Sequence, residues 1–223
     1  MKTQSLQRQT VSDALWITLE QLMKMEALVP FRLVGGTALS LQLGHRISAD
    51  IDLFTDSDYK SVDFNAIDEE LQKQFPVVET QFIGNDSLGK TYYLGKDIDN
   101  VIKLDMFYTD TFIRPIVEID SIRMASVEDI AAMKMETIGN NGRKKDFWDI
   151  HELMDIFSLK QMIDFFMERY PYSHTKENLL NKLIDFSYAD DYFNPECLRG
   201  KYWDLIKIDI QKSVLNLGED ITN

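Results

Sequence analysis

Two aspartates, Asp50 and Asp52, alternate with apolar residues in the segment ADIDLF, and they are the residues of this chain best suited to chemistry. Because side chains alternate between the two faces of a β-strand, this spacing puts both carboxylates on one face. Like charges held this close repel each other, so the pair predicts a bound cation. Asp105 is central in a later strand-like segment, KLDMF, and is predicted to face the same side.

Three carboxylates on one face of a sheet suit Mg²⁺, which binds through a few protein carboxylates plus substrate phosphates. Two such ions can activate an attacking hydroxyl and stabilise a departing pyrophosphate in an in-line displacement. The sequence therefore predicts a two-ion magnesium site formed by Asp50, Asp52 and Asp105, with an NTP as substrate. Asp105 either completes this site or acts as the base toward the acceptor hydroxyl.

A glycine turn lies one helix length before the aspartate pair. Gly35, Gly36 and Thr37 follow a short apolar run that is predicted to be a strand, and they lead into a helix that Gly44 ends. Backbone N–H groups at such a turn form an anion site, and the Thr37 hydroxyl adds a donor. Arg46 can bind a phosphate through two hydrogen bonds. These residues are predicted to hold the nucleotide's phosphates.

The order of these motifs resembles the nucleotidyltransferase superfamily whose fold is seen in DNA polymerase β. The strings GGTALSLQLGHRISADIDLF and AAMKMETIGNNGRKKDFWDIHEL are similar to the AbiEii/AbiGii toxin branch of that superfamily. The resemblance implies that the aspartate pair binds metal and that Gly36 and Thr37 hold phosphates. It also implies a later acidic strand residue, a helical lysine and an Arg/Lys-Asp-x-x-Asp element, which correspond to Asp105, to Lys134, and to Lys145, Asp146 and Asp149.

Lys134 falls on the apolar stripe of a helix predicted to begin after Ser126. A lysine there either extends outward along its stem or meets an anion in a cleft, and beside a carboxylate site we predict catalytic contact with phosphate. Asp146 and Asp149 share one helix face, and Lys145 can pair with Asp149. Two interpretations stay open for these three residues: part of the active site, or a surface ion pair with an acidic helix start.

The resemblance further implies the toxin of a type IV toxin–antitoxin or abortive-infection system, with tRNA or another RNA as acceptor and with a cognate antitoxin. The net charge of −13 opposes nonspecific binding to nucleic acid. RNA would therefore need a local basic patch, for which Arg143, Lys144 and Lys145 are the densest candidate.

Two alternatives remain open at this point. The first keeps the chemistry but uses a small hydroxylated acceptor such as an aminoglycoside, whose positive charge an acidic surface attracts. The second is a non-catalytic domain that works by binding a partner protein.

Hydrophobic periodicity predicts an α+β chain in two parts. Residues 1–125 are predicted to form the nucleotidyltransferase domain, a mixed sheet with flanking helices, and residues 126–223 a C-terminal helical domain. Strands are expected over 31–34, 50–55, 77–83, 91–94 and 101–107. Helices are expected over 10–25, 37–43, 62–75, 126–138, 145–157, 159–170, 176–186 and 201–217.

Composition indicates a globular protein without a membrane segment. The chain has 223 residues, of which 44% are hydrophobic, so it can bury a core of its own. No apolar stretch approaches a membrane span and the start, MKTQSLQRQT, lacks the apolar segment of a signal peptide, so we expect a cytoplasmic protein. The single cysteine, Cys197, excludes an internal disulfide and, with only three histidines, argues against structural zinc.

Overall fold

The structure is a computed structural model that describes residues 5–81 and 88–222. These residues divide into two units. The first comprises the described residues up to Gly44 together with Ser48–Ser126, and the second comprises His45–Ile47 together with the residues from Val127 onward. The short segment His45–Ile47 therefore belongs to the second unit, although its neighbours on both sides in the chain belong to the first.

A mixed sheet of seven strands runs through the first unit. The strands are β1 Arg32–Leu33, β2 Ile51–Thr55, β3 Val77–Gln81, β4 Gly89–Gly95, β5 Val101–Tyr108, β6 Val117–Ile119 and β7 Ile122–Met124. Their order across the sheet is β3-β4-β5-β2-β1-β7-β6. The pairs β2/β5 and β1/β7 are parallel, whereas the other neighbours are antiparallel. This pairing confirms the predicted mixed sheet.

Along strands β2 and β5, buried apolar residues alternate with partly exposed residues, so the two faces of the sheet differ. In β2, Ile51 and Leu53 are fully buried, while Asp52 between them is only partly covered. In β5, Leu104 and Met106 are likewise fully buried on either side of Asp105. The apolar residues therefore fix the register of the strands, and the aspartates are left on the opposite face.

Among the described residues of the first unit there are three α-helices, α1 Asp13–Met23, α2 Gly35–Leu43 and α3 Phe64–Gln74, and two short 3-10 helices, Arg8–Thr10 and Glu26–Leu28. Ser12 caps α1 by accepting a hydrogen bond from the backbone N–H of Leu15. Gly44 ends α2 in the left-handed conformation, with a φ of 73°, which glycine adopts without steric cost.

The second unit is helical. Its helices are α4 Val127–Gly139, α5 Lys144–Leu153, α6 Leu159–Arg169, α7 Lys176–Ile184, α8 Ser187–Asp190 and α9 Trp203–Thr222. Trp148 stacks on Trp203, with ring centroids 6.1 Å apart, and Phe147 packs on Phe186 at 5.1 Å. These aromatic contacts join α5 to the elements that follow it in the core of this unit. Within the described part of the chain, no helix is both long and apolar enough to cross a membrane.

Some of the predicted elements differ from the observed ones. The helix expected at Thr37 already begins at Gly35, so both glycines lie in its first turn. Strands β6 and β7 and the short helix α8 were not predicted, because elements of three or four residues show too little periodicity to be recognised. Phe82 and Ile83, at the end of one predicted strand, lie outside the described residues.

Candidate active site

Asp52 and Asp105 lie directly opposite each other on the parallel strands β2 and β5. The preceding pair in the register is Ile51 with Leu104, so one residue further back Asp50 comes next to Lys103. Side chains two residues apart share a face of a sheet. The structure thus brings Asp50, Asp52 and Asp105 together on one face and adds Lys103, which the sequence analysis missed.

Both carboxylate oxygens of Asp105 have a partner. The Thr91 hydroxyl on β4 donates to Oδ1 at 2.7 Å, and the Lys103 ammonium donates to Oδ2. Thr91 and Asp105 are opposite each other in the antiparallel pairing of β4 with β5. The neighbouring strand β4 and strand β5 itself therefore both contribute to fixing the position of this carboxylate.

The charge on Lys103 is maintained by the surrounding carboxylates. Burial alone would lower the pKa of this lysine, but the hydrogen bond to Asp105 and the negative charges of Asp105, Asp50 and Asp52 raise it above its ordinary value. Lys103 therefore stays protonated and partly offsets the repulsion among the three aspartates.

Gly35 provides the space that the Asp52 side chain occupies at the start of α2. Its φ is +67°, and a Cβ at this position would lie 2.6 Å from Asp52 Oδ2. The backbone N–H of Val34 also donates to the carbonyl of Asp52 at 2.9 Å. The glycine turn and the aspartate strand are thus in direct contact, which explains why the chain needs glycine here.

The Thr37 hydroxyl links α2 to the chain that leads into β2. It donates to the backbone carbonyl of Asp50 and lies 2.8 Å from the Ser48 hydroxyl. Thr37 is almost fully buried. The contacts in the structure are therefore ones that fix the position of Asp50, while the predicted contact of this hydroxyl with a phosphate stays a prediction.

The three aspartates fit a divalent cation in donor type. Carboxylate oxygens are the ligands that Mg²⁺ prefers. Within residues 5–81 and 88–222, no three His, Cys, Asp or Glu side chains are already grouped closely enough to hold a metal ion. Asp50, Asp52 and Asp105 are the side chains that would hold one.

A second charged cluster lies inside the second unit and is centred on Asp149. Its Oδ1 is 2.8 Å from His45 Nε2 and accepts from Arg46 Nε at 2.6 Å, and its Oδ2 accepts from Arg46 Nη2 at 2.9 Å. Lys134 Nζ is 2.7 Å from the same Oδ2. Arg46 was predicted to bind a phosphate through two hydrogen bonds, and in the structure it makes two hydrogen bonds to the Asp149 carboxylate instead.

Asp146 occupies the other side of Lys134. Its Oδ1 accepts from Lys134 Nζ at 2.6 Å, and its Oδ2 accepts from the backbone N–H of Arg143 at 2.9 Å, at the start of α5. Asp146, Asp149 and Lys134 are all nearly inaccessible to solvent. The surface ion pair considered as one interpretation of this element is therefore wrong, because the carboxylates are buried.

The charges in this cluster stabilise one another. Burial alone would raise the pKa of Asp149, yet Arg46 and Lys134 hold it well below its usual range. Burial alone would lower the pKa of Lys134, yet Asp146 and Asp149 raise it above its usual value. The cluster is thus a network of paired charges in a poorly solvated environment.

The basic triplet is less accessible than a nucleic-acid patch would require. Arg143 is exposed, but Lys144 is buried, with its ammonium 5.3 Å from the ring centroid of Trp203. Lys145 is half-buried, and burial followed by the positive charges of Arg143, Lys134 and Arg46 lowers its pKa. Within this triplet, Arg143 and Lys145 are therefore the candidates to meet a phosphate from solvent.

Comparison with known proteins identifies the family. Residues 18–198 match the family described as "Nucleotidyl transferase AbiEii toxin, Type IV TA system". The chain belongs to this family. The match confirms the resemblance inferred from the sequence, including its assignment to nucleotidyltransferases, and it spans both charged clusters.

One curated relative of this AbiEii family member is an uncharacterized protein of Aquifex aeolicus. It is 31% identical over an alignment of 145 positions, and the alignment covers 61% of this chain. The match spans 63% of that relative's length.

Two solved structures with low sequence identity share the fold of this chain. JHP933 from Helicobacter pylori aligns with a TM-score of 0.55 at 17% identity, covering 95% of each chain. The MenT4 nucleotidyltransferase toxin from Mycobacterium tuberculosis aligns with a TM-score of 0.58 at 10% identity, covering 89% of this chain and 80% of its own. These similarities confirm the predicted fold.

The sequence analysis missed three contributors to the two clusters of this AbiEii chain. Lys103 had a local signal, because it precedes Asp105 by two residues and so shares its face. Thr91 and His45 had none, because their partners Asp105 and Asp149 come close only through folding.

Proposed function

We propose that this protein transfers a nucleotide from an NTP to an RNA acceptor in a Mg²⁺-dependent reaction, with Asp50, Asp52 and Asp105 as metal ligands. The observation that carries the proposal is the register of Asp52 against Asp105, next to the N-terminus of α2. Three carboxylates on one face of a sheet repel each other, and a bound divalent cation would neutralise their charge more fully than Lys103 alone does.

The protein's own residues would prepare the site for the nucleotide. When bound, the divalent ions would neutralise phosphate charge and lower the pKa of the attacking hydroxyl. Gly35, Gly36 and Thr37 form the first turn of α2. Their backbone N–H groups and the positive end of the helix dipole would favour a phosphate at this N-terminus. Thr91 would keep the Asp105 carboxylate in one orientation throughout.

The remaining predicted contacts of the nucleotide are cations of the second unit. Lys134 and Arg46 stay predicted contacts of the triphosphate. Both side chains are bonded to Asp149, so either one would have to give up or share that bond in order to bind a phosphate. Lys145 makes no ion pair within the described part of the chain, so it can bind a phosphate without breaking one. Among these cations we therefore expect Lys145 to bind phosphate at the lowest cost.

The acceptor we propose is RNA, with tRNA as the first candidate, which the resemblance to the AbiEii toxins implies. The net charge of −13 works against this acceptor, so contact must be local. Arg143 and Lys145 are the residues we expect to contribute. We also propose a cognate antitoxin, and a small DNA-binding protein encoded directly upstream would support it.

The direct test is transfer of label. The protein is incubated with each α-labelled NTP in turn, Mg²⁺ and total cellular RNA, and the products are separated by size. We expect label on RNA with wild type and none with Asp50→Ala plus Asp52→Ala. The matched control is Asp164→Ala, which removes a carboxylate from the exposed pair of Lys160 and Asp164 and should leave transfer unchanged.

Each other outcome has a definite meaning. Label that survives loss of both aspartates contradicts their assignment as metal ligands. Label that reaches an aminoglycoside but no RNA identifies a small-molecule acceptor. If no NTP binds in calorimetry with Mg²⁺ present, the protein is a non-catalytic binding domain.

A further inference from the structure

Lys103 and the three aspartates form a compact charged group on one face of the sheet. The Lys103 ammonium is bonded to Asp105 Oδ2, and the negative charges of Asp50 and Asp52 also act on it. Its side chain is 37% exposed, against 18% for that of Asp105. Lys103 is thus placed among the side chains proposed to hold the metal, and its exposed part has room to move toward solvent.

We propose that Lys103 is the internal counter-cation of this site and that it competes with the divalent ion for Asp105 Oδ2. The inference rests on the proposed function, because it assumes that the three aspartates are metal ligands. It assigns to Lys103 a positioning role: the lysine holds Asp105 in place before the metal binds, and it gives up that oxygen when the metal binds.

The competition follows from the geometry of Asp105. Thr91 already donates to Oδ1, so the oxygen on which the metal and Lys103 meet is Oδ2. An ammonium and a divalent cation on the same oxygen repel each other strongly at short distance. Each therefore lowers the affinity of the site for the other, and the effect is reciprocal.

The competition also gives the lysine a use. Without Lys103, three carboxylates would repel each other before the metal arrives, and the site would open at a cost in folding free energy. With Lys103 in place, the protein folds at low metal concentration. Its apparent affinity for the divalent ion is then weaker than it would be without the lysine.

The test measures metal affinity and needs no turnover. Full-length protein is titrated with Mn²⁺ in the absence of nucleotide, and free Mn²⁺ is followed by electron paramagnetic resonance. Lys103→Met keeps the aliphatic stem but removes the charge, so we expect it to bind Mn²⁺ about tenfold more tightly at low salt, with the gain shrinking at high salt. Lys103→Arg keeps the charge and should stay within about twofold of wild type.

Lys90→Met is the matched control. Lys90 lies on β4 and bonds to Asp68 Oδ2 of α3 at 2.6 Å, so its loss removes another lysine–aspartate pair that involves the sheet. Lys90 is next to Thr91 in the strand and faces the other side, so its replacement should not change Mn²⁺ affinity. Lys103→Gln is a second neutral variant in case Lys103→Met does not fold.

The outcomes separate this inference from the proposed function. If wild type binds Mn²⁺, the Asp50→Ala plus Asp52→Ala variant does not, and the neutral Lys103 variants bind no more tightly than wild type, the competition is refuted while the metal site stands. Weaker binding by Lys103→Met would show that Lys103 supports the site without competing. If wild type binds no Mn²⁺ with or without NTP, both proposals fail.

Discussion

Gly35 and Asp52 are in contact across the junction of α2 and β2, and the carboxylate occupies the space that a side chain at position 35 would need. A Cβ on Gly35 would lie 2.6 Å from Asp52 Oδ2, closer than side-chain carbons approach other atoms. The glycine turn and the Asp-x-Asp pair, which are separate motifs in the sequence, therefore act as one structural unit.

Gly35→Ala should displace the Asp52 carboxylate and reduce nucleotide transfer by about 10²-fold, because small displacements of catalytic groups have effects of that size. The new methyl group also enters a backbone conformation with a φ of +67°, which adds strain. Gly200→Ala is the control, since its φ of +64° gives similar strain while nothing lies within 4 Å of the new Cβ. It should cost about 1 kcal/mol of unfolding free energy and no activity. Equal activity losses in the two variants would show that backbone strain alone is responsible.

Thr91→Val should lower transfer by roughly 10- to 100-fold, the usual range for a residue that orients a metal ligand. The valine keeps the shape of threonine but removes the hydroxyl that donates to Asp105 Oδ1 at 2.7 Å. The rate is measured at saturating NTP and at several Mg²⁺ concentrations, and part of the loss should be recovered at high Mg²⁺.

The neighbouring residue on β4 provides the control for this variant. The Tyr92 hydroxyl donates to Asp68 at 2.7 Å, on the face of the sheet opposite to Thr91. Tyr92→Phe should cost about 1 kcal/mol of stability and leave transfer unchanged. A loss of activity that matches that of Thr91→Val would mean that both act through the stability of the strand.

The first unit was more predictable from sequence than the second unit's charged cluster, for a physical reason. The positions of Asp50, Asp52 and Asp105 follow from period-two alternation in apolar strands, which is a local signal. The contact of Asp149 with His45 and Arg46 joins residues more than a hundred positions apart, and no local pattern indicates it.

The burial of charged side chains in the folded protein distinguishes between interpretations that the sequence pattern alone could not separate. The spacing of Asp146 and Asp149 suits an exposed helix face as well as an active site, and only the folded structure shows that both carboxylates are covered. The same holds for Lys144, which the sequence places in a basic patch and the structure places against Trp203. Charged residues of this kind are buried when they are paired, and their partners are distant in sequence.

Arg46 and Asp149 should be strongly coupled in a double-mutant cycle. The guanidinium makes two hydrogen bonds to the carboxylate, at 2.6 Å and 2.9 Å, and both side chains are almost fully buried. Arg46→Met and Asp149→Leu should each cost about 3–5 kcal/mol, because each leaves its partner charge buried. The double variant should be more stable than the sum of the single losses predicts, by about 0.5–3 kcal/mol. Urea unfolding measures all four proteins, and strict additivity would contradict the contact.

Asp149→Asn should remove a pH-dependent part of the stability of this protein. Arg46 and Lys134 hold the pKa of Asp149 well below its usual range in the folded protein, whereas in the unfolded chain it is about 3.9. The unfolded state therefore takes up this proton first as the pH falls, so the stabilisation is complete above about pH 5 and is lost progressively below it.

At pH 7 the asparagine variant should be less stable than wild type by about 3–5 kcal/mol, because Arg46 and Lys134 lose the charge that pairs them. As the pH falls from about 5 to 3, wild type should lose stability more steeply than the variant, so the two curves should converge. Urea unfolding at several pH values measures this difference. Asp164→Asn, which alters only an exposed ion pair, should follow the wild-type curve. Parallel curves for wild type and Asp149→Asn would show that Asp149 is not held in its charged form by its neighbours.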